Sequence, residues 1–425
     1  MSLPARLCLF IALIALPAAA QAQVYGCTDP AAVNYQPSAT RNDGSCTYPG
    51  TTIAATQVAQ LSDTVQETSG LVYWNGFFWT HNDDTDTTLY ALDTADGHIV
   101  KRIAIAGAPN HDWEELTQDN DYFYLGDFGN NAQGNRQNLV ILRIAKTALL
   151  AGQTTITPDK IFFSYADQTS FAATGNNNTD FDCEAFLATT DSLYLFTKQW
   201  VSGKTKIYAL PKMPGTYTAM PQAAYNVDGL VTGATYLSAK KTIVLTGYKI
   251  SGLQFQPFLM LLYDFPDLQH LLNGNKRKVL LNPQYHQTEA IATTDGSHFY
   301  ITNERLTQGI ITIPPKLQKA DLSGLLAPYY TSLKMPFIGP AAHTITFYPN
   351  PAKDHFTAKL DAQKSGVLEA YLYDALGRAV RFKTQALNPG SNEVRFAKGN
   401  NRAGIYWIKL LWEGQVAWGS ISLND

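Results

Sequence analysis

The chain has 425 residues, 45% of them hydrophobic and 16% charged, with a formal net charge of −3. That length exceeds one ordinary core and calls for two or three domains, while the apolar content excludes a disordered chain. The near-neutral balance excludes the broad basic footprint of a nucleic-acid or anionic-lipid binder.

In chain order, residues 1–22 carry Arg6, an apolar run over 7–16, and the small-residue ending Ala20-Gln21-Ala22. This predicts a secretory signal peptide cleaved before Gln23, with Cys8 lost alongside it. The run is too short to span a bilayer, and no later stretch is long enough, so no transmembrane span is expected.

Export places the remaining cysteines in an oxidising setting. Cys27 and Cys46 bracket a compact polar stretch, and a disulfide between them would stabilise it by roughly 3 kcal/mol on the chain-entropy estimate. The phrase Gly26-Cys27-Thr28-Asp29-Pro30, then Asn34-Tyr35, then Asp43-Gly44-Ser45-Cys46, resembles the short cystine modules of many secreted Bacteroidota proteins. Those in turn are similar to calcium-binding thrombospondin type 3 repeats. Asp29, Asn34 and Asp43 are fewer hard oxygens than a calcium cage needs. A disulfide-closed spacer over residues 23–50 is therefore expected.

A phrase then recurs five times. Its clearest copy is Asp112-Trp113-Glu114-Glu115-Leu116 followed by Tyr122-Phe123-Tyr124-Leu125-Gly126-Asp127. Further copies begin at Glu67, at Asp182-Cys183-Glu184-Ala185, at Thr232 and at Glu289. Short alternating aromatic runs between turn residues read as strands, and a repeat of this length signals a ring of sheets. Over 52–340 the expected fold is an all-β propeller of five four-stranded blades. The last unit is one strand short, its third strand read at 309–313, and a strand at 53–61 closes the ring. Six blades remain an alternative, because Glu184 follows Glu114 by 70 residues whereas Glu114 follows Glu67 by only 47.

Each acidic opening stands 13 residues before the end of its partner strand, as with Glu114 and Asp127 or Glu184 and Thr197. Hairpin geometry gathers these positions at one mouth of the ring. Candidate metal ligands are Asp112, Glu114, Asp127, Asp182 and Glu184, a carboxylate set suited to Ca²⁺ or Mg²⁺. Candidate ligand-binding residues are Asn82, Asp83, Asn130, Lys198, Tyr248, Asn303 and Arg305, the two cations suiting an anionic group. Candidate catalytic groups are Glu114, Glu184, Glu289 and His81. The competing expectation is structural: an acidic residue opening an inner strand can bind backbone N–H groups of the next blade. Period-two alternation turns Trp113 and Cys183 into the blade interior, leaving Cys183 an inert free thiol. No nucleophile elbow, HExxH or phosphate-cradling loop appears.

The phrases Asp-Trp-Glu-Glu, Gly-Asp-Phe-Gly-Asn-Asn, Asp-Cys-Glu-Ala and Val-Thr-Gly-Ala-Thr-Tyr, over 60–310, resemble a family of secreted bacterial propellers, and more distantly phytase-like and esterase-like propellers. That resemblance implies the fold and little chemistry.

After a Pro-rich linker at 336–342 come Phe347-Tyr348-Pro349-Asn350-Pro351, then Leu372-Tyr373-Asp374-Ala375-Leu376-Gly377-Arg378, then Ala403-Gly404-Ile405-Tyr406-Trp407-Ile408-Lys409. Alternation predicts a small antiparallel sandwich. The three phrases resemble the type A C-terminal sorting domain of the type IX secretion system over 344–425. The resemblance implies partnership with that machinery and its sortase, and delivery to the outer-membrane surface or beyond. The expected function is binding of an extracellular glycan, peptide or anionic small molecule at the acidic mouth. The alternative is a metal-dependent hydrolase of phosphate esters or glycosides.

Overall fold

The computed structural model describes residues 23–252, 254–284, 286–332, 346–362, 365–374, 379–399, 401–412 and 415–424. The expected signal peptide, the linker at 336–342 and residues 375–378 of the second sorting phrase lie outside the described residues.

Between Thr52 and Asp321 the strands pair into successive antiparallel units. Unit I holds Thr68–Trp74, Phe77–Asn82, Thr88–Leu92 and Ile99–Ile105. Unit II holds Trp113–Gln118, Tyr122–Asp127, Val140–Ala145 and Asp159–Tyr165. Unit III holds Cys183–Ala188, Ser192–Thr197, Thr205–Pro211 and Gly215–Tyr225. Unit IV holds Leu230–Leu237, Thr242–Ser251, Gln254–Tyr263 and Asn275–Asn282. Unit V takes Thr288–Thr293, His298–Asn303 and Lys316–Asp321, and is completed by the early strand Thr52–Gln60. Parallel pairs at the outer edges merge units II with III and IV with V into two eight-stranded sheets.

The strands are apolar on both faces because each unit is buried on both sides. In Tyr122–Asp127, Phe123 and Leu125 face unit I beside Trp79 and Trp113, whereas Tyr124 faces unit III beside Phe186. The same interleaving recurs between III and IV, IV and V, and V and I, where Phe78 and Tyr90 meet Ala290 and Leu317. The apolar layers thus run all the way round, and the strand order closes into a ring of propeller type.

Two expectations change. The third strand of unit V is Lys316–Asp321, not 309–313; Leu306–Gln308 and Ile311–Ile313 form a separate hairpin before it. Pro314 and Pro315 separate that hairpin from Lys316–Asp321. The long interval after Glu114 is filled by the helix Lys146–Leu150, the short strand Thr155–Ile156 on the edge of unit I, and the loop leading to unit III.

The cystine stretch is no free spacer. Cys27 and Cys46 are linked, and Cys183 is free and buried. Asp29 Oδ2 accepts hydrogen bonds from the hydroxyls of Tyr48 (2.8 Å) and Tyr263 (2.7 Å), and Asn42 Nδ2 donates to Asp264 and Asn275 at 2.8 Å each. These contacts dock the module against unit IV. Within the module, Asn34 Oδ1 accepts from the Thr47 N–H and Asp43 Oδ1 from the Ser45 N–H.

Beyond the linker, Thr346–Tyr348, His355–Ala362 and Gly390–Ala397 form one sheet, and Ala379–Leu387, Gly366–Tyr373, Gly404–Trp412 and Gln415–Leu423 form another. Phe356, Phe396, Leu368, Leu372 and Ile408 share one core between them.

Candidate functional site

Every inner strand carries a β-bulge near its start. The ladder pairs Trp113 with Asp127 and then Glu115 with Gly126, leaving Glu114 as the extra residue. Glu184 in unit III, Glu289 in unit V and Thr232 in unit IV occupy the same place, and in unit I the shift falls at Gly70. A bulge re-aims a side chain out of strict alternation. Consecutive residues therefore serve three purposes: Trp113 enters the apolar layer between units I and II, Glu114 turns to the mouth, and Glu115 turns into the channel. The expected register was one residue off for this reason. Glu67 is not the counterpart of Glu114; it lies just before the inner strand, half-buried at the rim.

The bulges bring four carboxyl groups into one cup. Ligand oxygens of Glu114, Asp182 and Glu184 lie within 4.8 Å of one another. Asp112 joins them across Gly129, where an added Cβ would stand 2.1 Å from Glu114 Oε1 and 2.4 Å from Asp112 Oδ2. Only glycine leaves room there. Exposure of Glu114, Asp182 and Glu184 is 0–3% whereas Asp112 is half-buried, so the cup is closed except on the side of Asp112. Lys198 is buried with them, its Nζ 3.1 Å from Glu184 Oε1 and set over the rings of Trp200 (4.8 Å) and Tyr248 (5.4 Å). Asp182 is oriented by the Asn130 N–H (2.6 Å) and the Trp200 indole N–H (2.7 Å).

The remaining candidates are engaged elsewhere. Asp127 gives one oxygen to Arg136 and the other to His111, each at 2.8 Å, and so stands outside the cup. Asn130 ties the loop between the second and third strands of unit II to Phe181 O, and Asn82 ties Glu67 N to Thr64 O and Asp86. Asn303 donates to Glu304 O and Pro314 O, and Arg305 pairs with Asp63. His81 is fully buried, its Nδ1 on Asn82 O at 3.0 Å, and burial pushes its pKa down to about 4, so it stays neutral and sealed from any substrate.

Glu115 is the residue that sequence reasoning passed over. Its Oε1 accepts the Leu116 N–H (2.9 Å) and its Oε2 accepts the Ala234 N–H of unit IV (2.7 Å), with the Leu71 N–H of unit I also directed at it. This one carboxyl spans the channel between units that are not neighbours. Ser69 Oγ on Glu114 O and Thr232 Oγ1 on Thr288 O, both at 2.5 Å, pin adjacent units. The expected backbone pins exist, yet among the described residues Glu114, Glu184 and Glu289 are not found accepting backbone N–H groups. The doublet Glu114-Glu115 was the available signal.

Electrostatics follow from crowding. Burial, then repulsion from Glu184, raises Glu114 well above the usual carboxylate range; Asp182 and Glu289 are likewise raised, burial first. Lys198 is raised in spite of its burial, by Glu184, Tyr248 and Glu289. Asp112 is pushed up to about 6 by burial and Asp182, and rim Asp83 to about 8 by burial and Glu304. A carboxyl whose folded pKa is raised stabilises the fold below its unfolded value, about 3.9, and loses that contribution as pH climbs through the folded value. In chelator, the melting temperature is therefore expected to fall as pH rises from 4 to 8, and Asp83→Asn to flatten the upper part of that fall. A flat profile in the unsubstituted chain would contradict the crowding.

Residues 346–420 match the family described as "Secretion system C-terminal sorting domain". The chain is thereby marked for export to the outer-membrane surface or the extracellular space, and no helix among the described residues is long and apolar enough to cross a membrane. No curated protein matches the chain. Among solved structures it is similar to the WD40 β-propeller domain of Doa1 (8% identity, 63% of this chain and 97% of that one, TM-score 0.31). It is also similar to a quinonprotein alcohol dehydrogenase-like protein from Bacteroides thetaiotaomicron (11% identity, 77% and 68%, TM-score 0.28). A third is a putative 6-phosphogluconolactonase from Bacteroides uniformis (13% identity, 76% and 87%, TM-score 0.27).

Proposed function

We propose that this exported chain is a five-bladed propeller that binds a divalent cation, Ca²⁺ or Mg²⁺, in the cup of Asp112, Glu114, Asp182 and Glu184, and uses that mouth to hold an extracellular ligand. The blade count rests on one four-stranded unit per bulged inner strand. The observation that carries the cation reading is the contrast between Glu115 and its neighbours. Glu115 is a buried carboxyl satisfied by backbone donors, whereas Glu114 and Glu184 are equally buried and face other carboxyls with Lys198 as their nearby cation. A buried charge without a partner is costly, and hard oxygens at this spacing suit Ca²⁺ or Mg²⁺.

Near-complete burial favours binding over hydrolysis. A cup sealed to this degree admits an ion but not a glycan or phosphate ester in contact with Glu184. The half-buried rim residues Glu67, Asp83 and Glu304 surround its opening. A glycan, peptide or anionic small molecule would meet the cation there, by a carboxylate or hydroxyl oxygen.

Calcium or magnesium titrated into chelator-treated protein should raise the melting temperature. At 100 times the dissociation constant the gain is about 2.7 kcal/mol. Glu114→Gln and Glu184→Gln should each blunt it. An unchanged melt in the parent chain would end the cation reading, and cation-dependent cleavage of a phosphate ester or glycoside lost in Glu184→Gln would replace binding by hydrolysis.

A further inference from the structure

The docked cystine module creates a second site, lined by none of the mouth residues. Between it, unit IV and the helix Ser323–Ser332 lies a cleft of about 580 Å³. Small-molecule sites run from roughly 300 to 1,000 Å³ and favour such junctions between separately folded parts.

Its chemistry is two-sided. Pro30, Phe265, Pro266 and Tyr329 supply an apolar wall. Arg41 from the module and Lys241 from unit IV supply the cations. Arg41 is exposed and has no side-chain hydrogen bond or ion pair among the described residues, and Lys241 Nζ reaches only Pro266 O, at 3.4 Å. The two carboxylates of the lining are engaged by other donors: Asp264 by Thr28 Oγ1 (3.1 Å) and Asn42 Nδ2 (2.8 Å), and Asp29 by the Ala31 N–H (2.8 Å) and the hydroxyls of Tyr48 and Tyr263. Lys241 and Asp264 both hold positive φ, +43° and +56°. Lys241 does so as the left-handed C-cap of the short helical turn Ser238–Lys240, which fixes where its side chain starts.

We infer that this cleft binds a small acidic sugar, its carboxylate paired with Arg41 and Lys241 and its ring laid against the proline and tyrosine wall. A bare anion would leave most of the volume and the apolar wall unused; a neutral sugar would leave Arg41 without a partner and Lys241 with only the long contact to Pro266 O. Arg41 lies in the module and Lys241 in unit IV, so bound ligand bridges the two parts.

The probe is glucuronate, titrated calorimetrically into the full-length exported chain, with glucose and inorganic phosphate in parallel. Glucuronate should bind, glucose and phosphate should bind at least tenfold more weakly, and Arg41→Ala and Lys241→Ala should each weaken glucuronate at least tenfold. Both side chains are exposed, so the variants should melt as the parent does. Glu184→Gln should leave glucuronate binding unchanged, which separates this site from the cation cup. No glucuronate heat, or binding indifferent to both substitutions, overturns the site. Glucose equal to glucuronate overturns the anionic specificity, and phosphate equal to it overturns the sugar ring.

Discussion

Replacing Glu115 by alanine is expected to cost about 3–5 kcal/mol, the largest loss of any single substitution in the ring. Three backbone N–H groups, of Leu116, Ala234 and Leu71, lose their acceptor at once. Each buried donor left without a partner costs about 1–3 kcal/mol, and removal of the side chain adds a cavity on the channel axis. Water entering that cavity would recover part of the loss, which sets the lower end of the range. Glu115→Gln keeps the shape but turns an amide N–H₂ toward one of those donors, so it should cost less than alanine and still more than 1 kcal/mol. Denaturant unfolding monitored by tryptophan fluorescence reads both values. A cost below 1 kcal/mol for alanine would mean that the cross-channel carboxyl does not hold units I, II and IV together.

Deleting residues 346–425 is expected to remove nearly all of the protein from the surface and medium of a type IX host and to trap it in the periplasm. The segment has its own core of Phe356, Leu368, Ile408 and Leu410, so the loss should be one of delivery rather than of propeller folding. Cell fractionation with antibody to the propeller measures the first, and the melting curve of the truncated chain the second. Normal surface display of the truncated chain would contradict the export assignment that residues 346–420 carry.

Much of the ring was legible because strand alternation is local. Tyr122-Phe123-Tyr124-Leu125 announces a strand buried on both faces, and Glu114-Glu115, Glu184-Ala185 and Glu289-Ala290 mark where the inner strands of units II, III and V begin. The bulge was not legible. Whether Glu114 or Trp113 opposes Asp127 depends on one extra residue whose placement is set by contacts with units I and III, not by the hairpin itself. Glu115 was hidden for the same reason, since its partner Ala234 lies 119 positions away. Asp127 looked like a ligand because its neutralising Arg136 sits in a loop whose path no periodicity describes. The docking of the cystine module was equally silent in the sequence: Tyr263 reads as a core aromatic until its hydroxyl is seen on Asp29.

The early strand Thr52–Gln60 sits between Asn275–Asn282 on one side and Lys316–Asp321 on the other. Its partners are made more than two hundred residues after it, so its pairing closes the largest loop in the ring and has the highest contact order in the fold. Such contacts form late, because loop-closure entropy is spent before they return any stabilisation. A chain emerging N-terminus first must therefore wait, with one unpaired nine-residue edge, until unit V has emerged. Until then the units can form locally but the circle stays open. Loss of the late strand Lys316–Asp321 would therefore leave the first strand, made at the other end of the ring, without one of its two partners.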